Sequence, residues 1–317
     1  MGRFVLTRLL LAIPSLFGIA LLTFVLIRLI PGDAIDFRIG TAIGLTDAQV
    51  ATLEHYYGLD QPTHVQFLSW LGSLAHGDLG ISVRTGEPVI DMILRAAPVT
   101  LELAILSLVL AIGTGVPLGT LSALRANSKT DTTVRVVSFF GLAVPEFLSA
   151  TVLVLFFSSV VHWFPNAIPY SPIGADPIQN LAQNVLPAAV LGFAVSASML
   201  RVTRSEVLQV LGEDHVRVAM AKGLSRGRVI ARHILRNALV PIITIIGIMT
   251  GYLLTGAVIV EQIFNLPGVG RLLLVSILQR DYPVVQGTVV FISLTFILAN
   301  LAADVLYGSA DPRIRTA

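Results

Sequence analysis

Six long apolar stretches constrain the fold of this sequence more than any other feature. They are residues 9–27, 103–124, 136–161, 181–200, 238–260 and 284–303. Each has about the 20 apolar residues that a helix needs to cross the bilayer core. The third stretch contains one charged residue, Glu146, and the other five contain none. Because lipid offers no hydrogen-bond partner to the backbone, each stretch is predicted to be a helix.

The composition favours a membrane protein over a soluble one. Hydrophobic residues make up 55% of the 317 residues and charged residues only 13%, whereas soluble domains carry about 25% charged residues. A large soluble core would not require so few charges. The chain has no cysteine, which excludes disulfides, iron–sulfur clusters and thiolate catalysis. The net charge of +2 gives no argument for a nucleic-acid partner.

The basic residues predict the orientation of the chain. With six helices, 15 of the 21 Lys and Arg residues fall on the side that holds both termini and residues 201–241. Loops rich in Lys and Arg stay in the cytoplasm, so both termini are predicted to be cytoplasmic. We therefore expect an all-α integral membrane protein with six transmembrane helices. No small-x-small cleavage site follows the first stretch, so that helix is expected to be retained.

Four regions follow from this topology. They are 1–30, the cytoplasmic N-terminus and first transmembrane helix; 31–98, an extracytoplasmic loop region inserted after it; 99–307, the transmembrane core with a cytoplasmic loop at 201–241; and 308–317, a cytoplasmic tail. Inside the insertion, a capping signal at Thr46 predicts a helix that ends before Pro62. Apolar residues from Phe67 to Leu74 predict a second, amphipathic helix. Residues 162–180 contain four prolines and are predicted to be irregular.

The cytoplasmic loop is predicted to form three short helices. The first continues the fourth span to about Leu211, and the second covers about 214–222 before Gly223, a residue type that ends helices. The third begins after Ser225, a favoured N-cap residue. Small side chains make the second helix slim, so that it can insert into a cleft of another protein. The alternative is a basic loop on anionic lipid, with three arginines at helical spacing facing the headgroups: Arg228, Arg232 and Arg236.

Two runs in this loop, AMAKGLS at 219–225 and RHILRNALVP at 232–241, resemble the EAA-type loop of ABC importer permeases. The likeness is greatest to the dipeptide/oligopeptide/nickel branch of that family. Further runs that match the branch are spread over nearly the whole chain. They are RLIPGD at 28–33, YGLDQP at 57–62, GDLGIS at 77–82, PVTLEL at 98–103, FNLPGVGR at 264–271, RDYP at 280–283 and DPR at 311–313. Each run alone is weak evidence, but the combination is specific.

The resemblance implies a type I ABC importer permease that moves di- or oligopeptides across the bacterial inner membrane. It implies four kinds of partner: a second homologous permease, two ATPase subunits, an extracytoplasmic substrate-binding protein and membrane lipid. No cofactor, metal or catalytic residue is expected in this chain, because ATP and Mg²⁺ would bind to the ATPases. The sequence agrees in having no Gly-x4-Gly-Lys-Ser/Thr phosphate loop.

The resemblance also assigns ATPase coupling to the second short helix and the turn after it. The implied residues are Arg217, Ala219, Met220, Ala221, Lys222, Gly223, Leu224 and Ser225. One position departs from the general pattern. Arg217 stands six residues before the glycine, where the general EAA loop has its glutamate, and this departure looks normal for the peptide branch.

Two acidic residues are candidates for the translocation pathway, since polar side chains inside a membrane are costly and often functional. Glu146 follows Pro145 inside the third span, and Glu102 lies near the outer end of the second. For Glu146 the alternative is a structural hydrogen bond inside the helix bundle. For Glu102 the alternative is an ordinary interfacial position.

Two small-residue patterns predict where helices pack closely. They are Gly115-x3-Gly119 in the second span and Gly247-x3-Gly251 in the fifth. Without side chains, such positions let two helix backbones approach each other. We expect packing contacts at these glycines and no role in binding a solute.

Other functions are less well supported by the sequence. The same architecture would suit nickel chelates or another small peptide-like solute. An ion-coupled carrier or a channel would need several paired charges at mid-bilayer, and only Glu146 comes close. An intramembrane enzyme would need a metal or serine–histidine constellation, and the spans contain none.

Overall fold

The protein is almost entirely helical in the computed structural model, which describes residues 2–29 and 60–310. A short helical turn, Arg226–Arg228, and a π-helical stretch, Val229–Leu235, precede the eighth α-helix of these described residues. The helix predicted from Thr46 lies outside the described residues. In chain order the α-helices are α1 Gly2–Arg28, α2 Thr63–Ala75, α3 Val89–Leu124, α4 Lys129–Ala143, α5 Glu146–Ser159, α6 Pro177–Leu211, α7 Asp214–Ala221, α8 Arg236–Ile263, α9 Val269–Leu278 and α10 Tyr282–Ala310.

Four helices in the described ranges, α1, α3, α6 and α10, are long and apolar enough to cross a membrane. Two bent pairs are each long and apolar enough to form one further span. The first pair is α4 with α5, which meet at 101°, and the second is Arg226–Leu239 with Pro241–Leu253, which meet at 51°. Each predicted apolar stretch therefore corresponds to one long helix or one bent pair. This agreement confirms the prediction of an all-α membrane protein with six spans.

Prolines account for both bends. Val144 ends α4 in an extended conformation, with φ −86° and ψ 122°, as expected for a residue that precedes proline. Pro145 then starts α5 at Glu146, so the interruption predicted within the third span is confirmed. The second bend lies just before Pro241, where the second helix of the pair begins. Proline removes a backbone hydrogen-bond donor and its ring crowds the preceding helical turn, so the helix bends there.

The second span begins earlier than predicted. Helix α3 starts at Val89, inside the segment predicted as the extracytoplasmic loop region, and runs without interruption into the apolar stretch. Asp91 and Arg95 lie in these first turns and are exposed. These charges end the apolar stretch, but they do not end the helix, because charged residues are readily accommodated on the exposed face of a helix.

The described residues form two compact units. The first contains residues 2–5, 99–266 and 298–310. Its core lies among α3, α5, α6 and α8, and its large, fully buried side chains include Leu103, Leu191, Met199, Leu253 and Phe264. Dense packing of this kind fixes the helices that carry the candidate sites.

The second unit contains residues 6–29, 60–98 and 267–297. The predicted amphipathic helix after Pro62 is confirmed as α2, which packs Phe67 and Trp70 against Phe24 of α1 at centroid distances of 5.0 and 6.1 Å. The Arg28 guanidinium lies 3.4 Å from the centroid of the Phe24 ring. It also donates to the side-chain oxygen of Gln66 at 2.5 Å. Aromatic and cation–π contacts thus hold α2 along α1.

A buried carboxylate joins two distant runs within the second unit. Asp281 is 4% exposed and precedes α10. It accepts hydrogen bonds from Ser82 Oγ at 2.5 Å and from the Val83 backbone N–H at 3.2 Å. The GDLGIS and RDYP runs, about 200 residues apart in sequence, therefore meet in one hydrogen-bonded structure.

The glycines of the second span pack against α6, as predicted. A Cβ added to Gly115 would lie 2.9 Å from the Ser196 carbonyl oxygen, and one added to Gly119 would lie 2.6 Å from that of Leu200. Neither position has room for a side chain, so the backbones of α3 and α6 are in direct contact. Gly247 and Gly251 are both buried.

Replacing Gly119 with alanine is expected to destabilise the protein by about 1–3 kcal/mol, because the new methyl group would overlap the α6 backbone. Gly113 lies on the same helix, with no atom within 4 Å of an added Cβ, so Gly113→Ala is the matched control. The control should be neutral or up to about 1 kcal/mol stabilising, since alanine favours helix. Unfolding of the detergent-solubilised variants measures both. Equal stability of the two variants would contradict close packing at Gly119.

Candidate coupling segment and pathway residues

The slim helix α7 has one buried face and one exposed face. Val216 and Ala219 are buried in an apolar cluster that includes Val207, Ile234 and Ala238 from the neighbouring helical segments. On the opposite face the side chains are exposed. They are those of Arg217, Val218, Met220, Ala221 and Lys222.

The predicted stop at Gly223 is confirmed in detail. Gly223 has φ +76°, a left-handed conformation that glycine adopts without strain. Its N–H donates to the Met220 carbonyl at 3.0 Å, and the Leu224 N–H donates to the Ala219 carbonyl at 3.4 Å. These two bonds form a Schellman motif, which satisfies carbonyls at the helix end. Leu224 packs on the same apolar cluster, so the turn is anchored at the residue after the glycine.

The third predicted short helix is not separate. The chain becomes helical after Ser225, as predicted, but the Ser225 side chain makes no capping hydrogen bond. The helical turn continues through Val229–Leu235 as a π-helix and enters α8 without a break. The three arginines at 228, 232 and 236 are all exposed. The sequence has no signal for the π-helical stretch, because its apolar residues also fit an α-helical pattern.

A polar contact ties α7 to the start of α8. The Asn237 amide nitrogen lies 2.9 Å from His215 Nε2 and donates to the His233 backbone carbonyl at 2.8 Å. On its other side, His215 Nδ1 lies 3.0 Å from a carboxylate oxygen of Glu213. Helix α7 is therefore connected to the fifth span through side chains as well as through the apolar cluster.

An ion pair fixes the end of α6 that leads into this segment. Asp131, in the first turn of α4, is fully buried and accepts two hydrogen bonds from Arg204 of α6, at 2.8 and 2.9 Å. Ser122 of α3 donates to the same carboxylate at 2.5 Å. Sequence reasoning missed this site, because Asp131 follows Ser128 at the spacing of an ordinary helix cap. Three helices therefore meet at one carboxylate.

Glu146 is the first residue of α5 and lies at the 101° bend. Its Oε1 atom accepts a hydrogen bond from the Tyr252 hydroxyl of α8 at 3.1 Å. A Cβ added to Gly256, one turn after Tyr252, would lie 3.2 Å from Glu146 Oε2. The glycine therefore leaves space that the carboxylate fills. Glu146 is half-buried and Tyr252 is exposed.

Glu102 belongs to a hydrogen-bonded network at the start of α6. It accepts from the Tyr170 hydroxyl at 2.7 Å and from the Asn180 amide at 2.9 Å. Burial raises the pKa of Tyr170 to about 12, and the hydrogen bond to Glu102 adds to this shift. The hydroxyl therefore stays protonated at neutral pH and keeps donating. The loop that contains Tyr170 is irregular apart from one 3₁₀ turn, Pro165–Ala167, as predicted.

A third acidic residue of the spans, Glu261, was not identified from the sequence. It lies near the end of α8, one residue beyond the predicted fifth stretch, where an acidic residue is expected to be exposed. In the structure it is fully buried and accepts from Thr100 Oγ1 at 2.6 Å. Its burial places a carboxylate in the core of the first unit.

Two family models match the chain. The model described as the binding-protein-dependent transport system inner membrane component matches residues 115–316. The model of the N-terminal part of such membrane components matches residues 1–104. Together these matches cover the chain except for residues 105–114 and the last residue.

Curated relatives cover the chain from end to end. The oligopeptide transport system permease protein AppB of Bacillus subtilis is 40% identical over 316 residues, with 99% of each chain covered. The dipeptide transport system permease protein DppB of Escherichia coli K12 is 39% identical, again with 99% of each chain covered. A putative peptide transport system permease protein of Brucella abortus is 41% identical at the same coverage.

A solved structure shares the fold. A chain of the MetNI methionine ABC transporter in an inward-facing conformation aligns with a TM-score of 0.59 and 16% sequence identity. The alignment covers 70% of this chain and 97% of the other. At this level of identity the likeness concerns the fold.

Proposed function

The chain belongs to the family of binding-protein-dependent transport system inner membrane components, and from this membership we infer that it is the permease subunit of an ATP-driven importer of di- or oligopeptides. The full-length likeness to two permeases named for peptide transport carries this proposal. It favours peptides over nickel chelates, which the sequence alone leaves open. It also disfavours an ion-coupled carrier that works alone.

The coupling role rests on the exposed face of α7. Val218 and Met220 are about half exposed, and the loop is predicted to lie in the cytoplasm. Apolar side chains presented next to a structured turn are typical of a protein–protein contact. We infer that Arg217, Met220, Ala221 and Lys222 face a groove of an ATPase subunit.

The other four residues that the resemblance assigns to coupling have a structural role. Ala219 is buried, so its side chain packs inside this chain. Gly223 and Leu224 form the Schellman motif, and Ser225 leads into the next helical turn. These four residues hold the exposed face in position.

ATP and Mg²⁺ would bind to the two partner ATPases, which move the coupling helices when they close. A second homologous permease would complete the pathway, and an extracytoplasmic binding protein would deliver the solute. Both termini would lie in the cytoplasm. The change between inward-open and outward-open states must come from different affinities of ATP for the two states.

The pathway assignment differs between the two acidic candidates. We infer that Glu146 lines the pathway, because it lies at a helix break inside the bundle and is only half-buried. Glu102 is engaged by Tyr170 and Asn180, so its main part is to hold the loop before α6. Its carboxylate would touch the solute only at the outer mouth of the pathway.

Reconstitution tests the proposed function. Proteoliposomes that contain this chain with its second permease and two ATPases should take up a labelled dipeptide only when ATP and the binding protein are present. Proteoliposomes with this chain alone are the control and should show no uptake. Dipeptide uptake by this chain alone would contradict the importer assignment. ATP-dependent uptake of a nickel chelate but of no peptide would correct the substrate class.

A further inference from the structure

A cavity of about 840 Å³ lies between α4 and α6 of the first unit, lined by residues from 132–142 and 200–208. Two contacts hold its walls together. At one end Arg204 pairs with Asp131. At the other end Gly141 packs against α6, where an added Cβ would lie 2.9 Å from a side-chain atom. The cavity is therefore bounded by helices in fixed positions.

The cavity crosses the predicted boundary between the apolar spans and the polar side that holds both termini. Arg135 directly precedes the third apolar stretch, 136–161, and Arg201 directly follows the fourth, 181–200. Both side chains line the cavity, and Phe139 lines it from within the apolar stretch. One end of the cavity is therefore cationic, at the level of the lipid headgroups, and the other is apolar, at the level of the acyl chains.

Two of the three arginines in the cavity have no anionic partner in the part of the chain that the structure describes. Arg204 is neutralised by Asp131. The guanidinium groups of Arg135 and Arg201 form neither an ion pair nor a hydrogen bond with the described residues, and both side chains are exposed. Ser205, one turn after Arg201 on α6, adds a hydroxyl to the lining. The cavity thus presents two uncompensated positive charges and a neutral donor.

We propose that this cavity binds the headgroup of an anionic phospholipid from the leaflet on that side, with an acyl chain along Phe139 and Phe140. A phosphodiester carries a negative charge and oxygens that accept from guanidinium and hydroxyl groups. Basic pockets between membrane helices suit such headgroups. Free phosphate has no acyl chain to cover the apolar end. A zwitterionic lipid carries a cation of its own, which the two arginines repel.

One lipid in this cavity would contact two helices at once, because Arg135 belongs to α4 and Arg201 to α6. It would therefore strengthen the same helix pair that the buried ion pair joins. Helix α6 continues to Leu211, and α7 begins at Asp214. The lipid would thus support the helix that leads directly into the proposed coupling segment. The site does not depend on which solute the protein transports.

The test uses the reconstituted transporter in nanodiscs, with phosphatidylglycerol or phosphatidylcholine carrying a photo-activatable group on one acyl chain. Mass spectrometry measures the lipid attached to the peptides of α4 and α6. The unmodified transporter should attach about tenfold more phosphatidylglycerol, the effect of two basic contacts to an anionic headgroup. Arg135→Gln combined with Arg201→Gln should abolish this preference. Arg201→Gln alone should lower it about threefold and serves if the double variant does not assemble.

The matched control is Arg228→Gln combined with Arg232→Gln, which removes two exposed arginines outside the cavity. The preference should stay within about twofold, because exposed charges outside the site are screened by salt. Equal loss in both double variants would overturn the site in favour of a general attraction to basic surface.

Three further results would overturn the proposal. The first is equal labelling by both lipids. The second is loss of labelling in excess inorganic phosphate, which would identify an anion site without a lipid. The third is labelling of this chain alone that disappears in the assembled transporter, which would assign the face to the second permease.

Discussion

Replacing Gly223 with valine is expected to lower ATP-dependent peptide uptake by about tenfold or more. Gly223 has φ +76°, and a left-handed conformation costs an L-residue roughly 1–2 kcal/mol, with β-branched residues at the upper end. The turn would relax, and the exposed face of α7 would shift relative to the partner ATPase. Uptake and ATP hydrolysis measured together in proteoliposomes should show fewer peptides moved for each ATP.

Gly227 provides the matched control for this change. An added Cβ at either glycine has no atom within 4 Å, but only Gly223 has a positive φ. Gly227→Val therefore adds the same side chain to the same loop without backbone strain and should keep uptake within about twofold, since valine and glycine differ by less than 1 kcal/mol in helix propensity. Equal loss in both variants would attribute the effect to bulk, and no loss in either would contradict the role of the turn.

Replacing Arg204 with methionine is expected to destabilise the protein by about 3–5 kcal/mol. The substitution leaves the fully buried Asp131 without its cation, and an uncompensated buried charge is among the most costly changes in a protein. The melting temperature of the detergent-solubilised chain should fall by many degrees. Trypsin should also cleave the segment 212–228 faster, because α6 would lose its attachment to α4.

Two further variants make this prediction specific. Arg201→Met changes an exposed arginine on the same helix and should alter stability by less than about 0.5 kcal/mol. The double variant Asp131→Asn with Arg204→Met should recover part of the lost stability, since a neutral amide costs less to bury than an unpaired carboxylate. If Arg204→Met behaves like Arg201→Met, the ion pair does not hold the three helices together.

The membrane spans were predictable because their signal is a property of single stretches. Lipid requires about 20 apolar residues in a row, and that requirement is visible in the sequence without knowledge of any contact. The break at Pro145 and the stop at Gly223 were predictable for the same reason. Proline and glycine limit the backbone locally, wherever the rest of the chain lies.

The polar contacts could not be predicted, because each depends on residues far apart in sequence. Asp131 and Arg204 are separated by 73 residues, and Thr100 and Glu261 by 161. Hydropathy places Glu261 just outside the predicted fifth stretch, where an acidic residue is expected to be exposed. In the structure, packing against other helices buries it. Glu146 was identified as a candidate from its place in an apolar stretch, but its partner Tyr252 and the space left by Gly256 appear only when α5 and α8 are brought together.

The π-helical stretch before α8 also determines which face of the fifth span is buried. The buried residues there are Val229, Ile234, Ala238 and Ile242, spaced five residues apart across the π-helix and four apart afterwards. In a continuous α-helix a spacing of five would turn Val229 about 140° away from Ile234. Removing or adding one residue here would rotate every later side chain by about 100°. The number of residues in this segment thus determines which side chains of the fifth span are buried. We expect the chain to tolerate substitution within it far better than insertion or deletion.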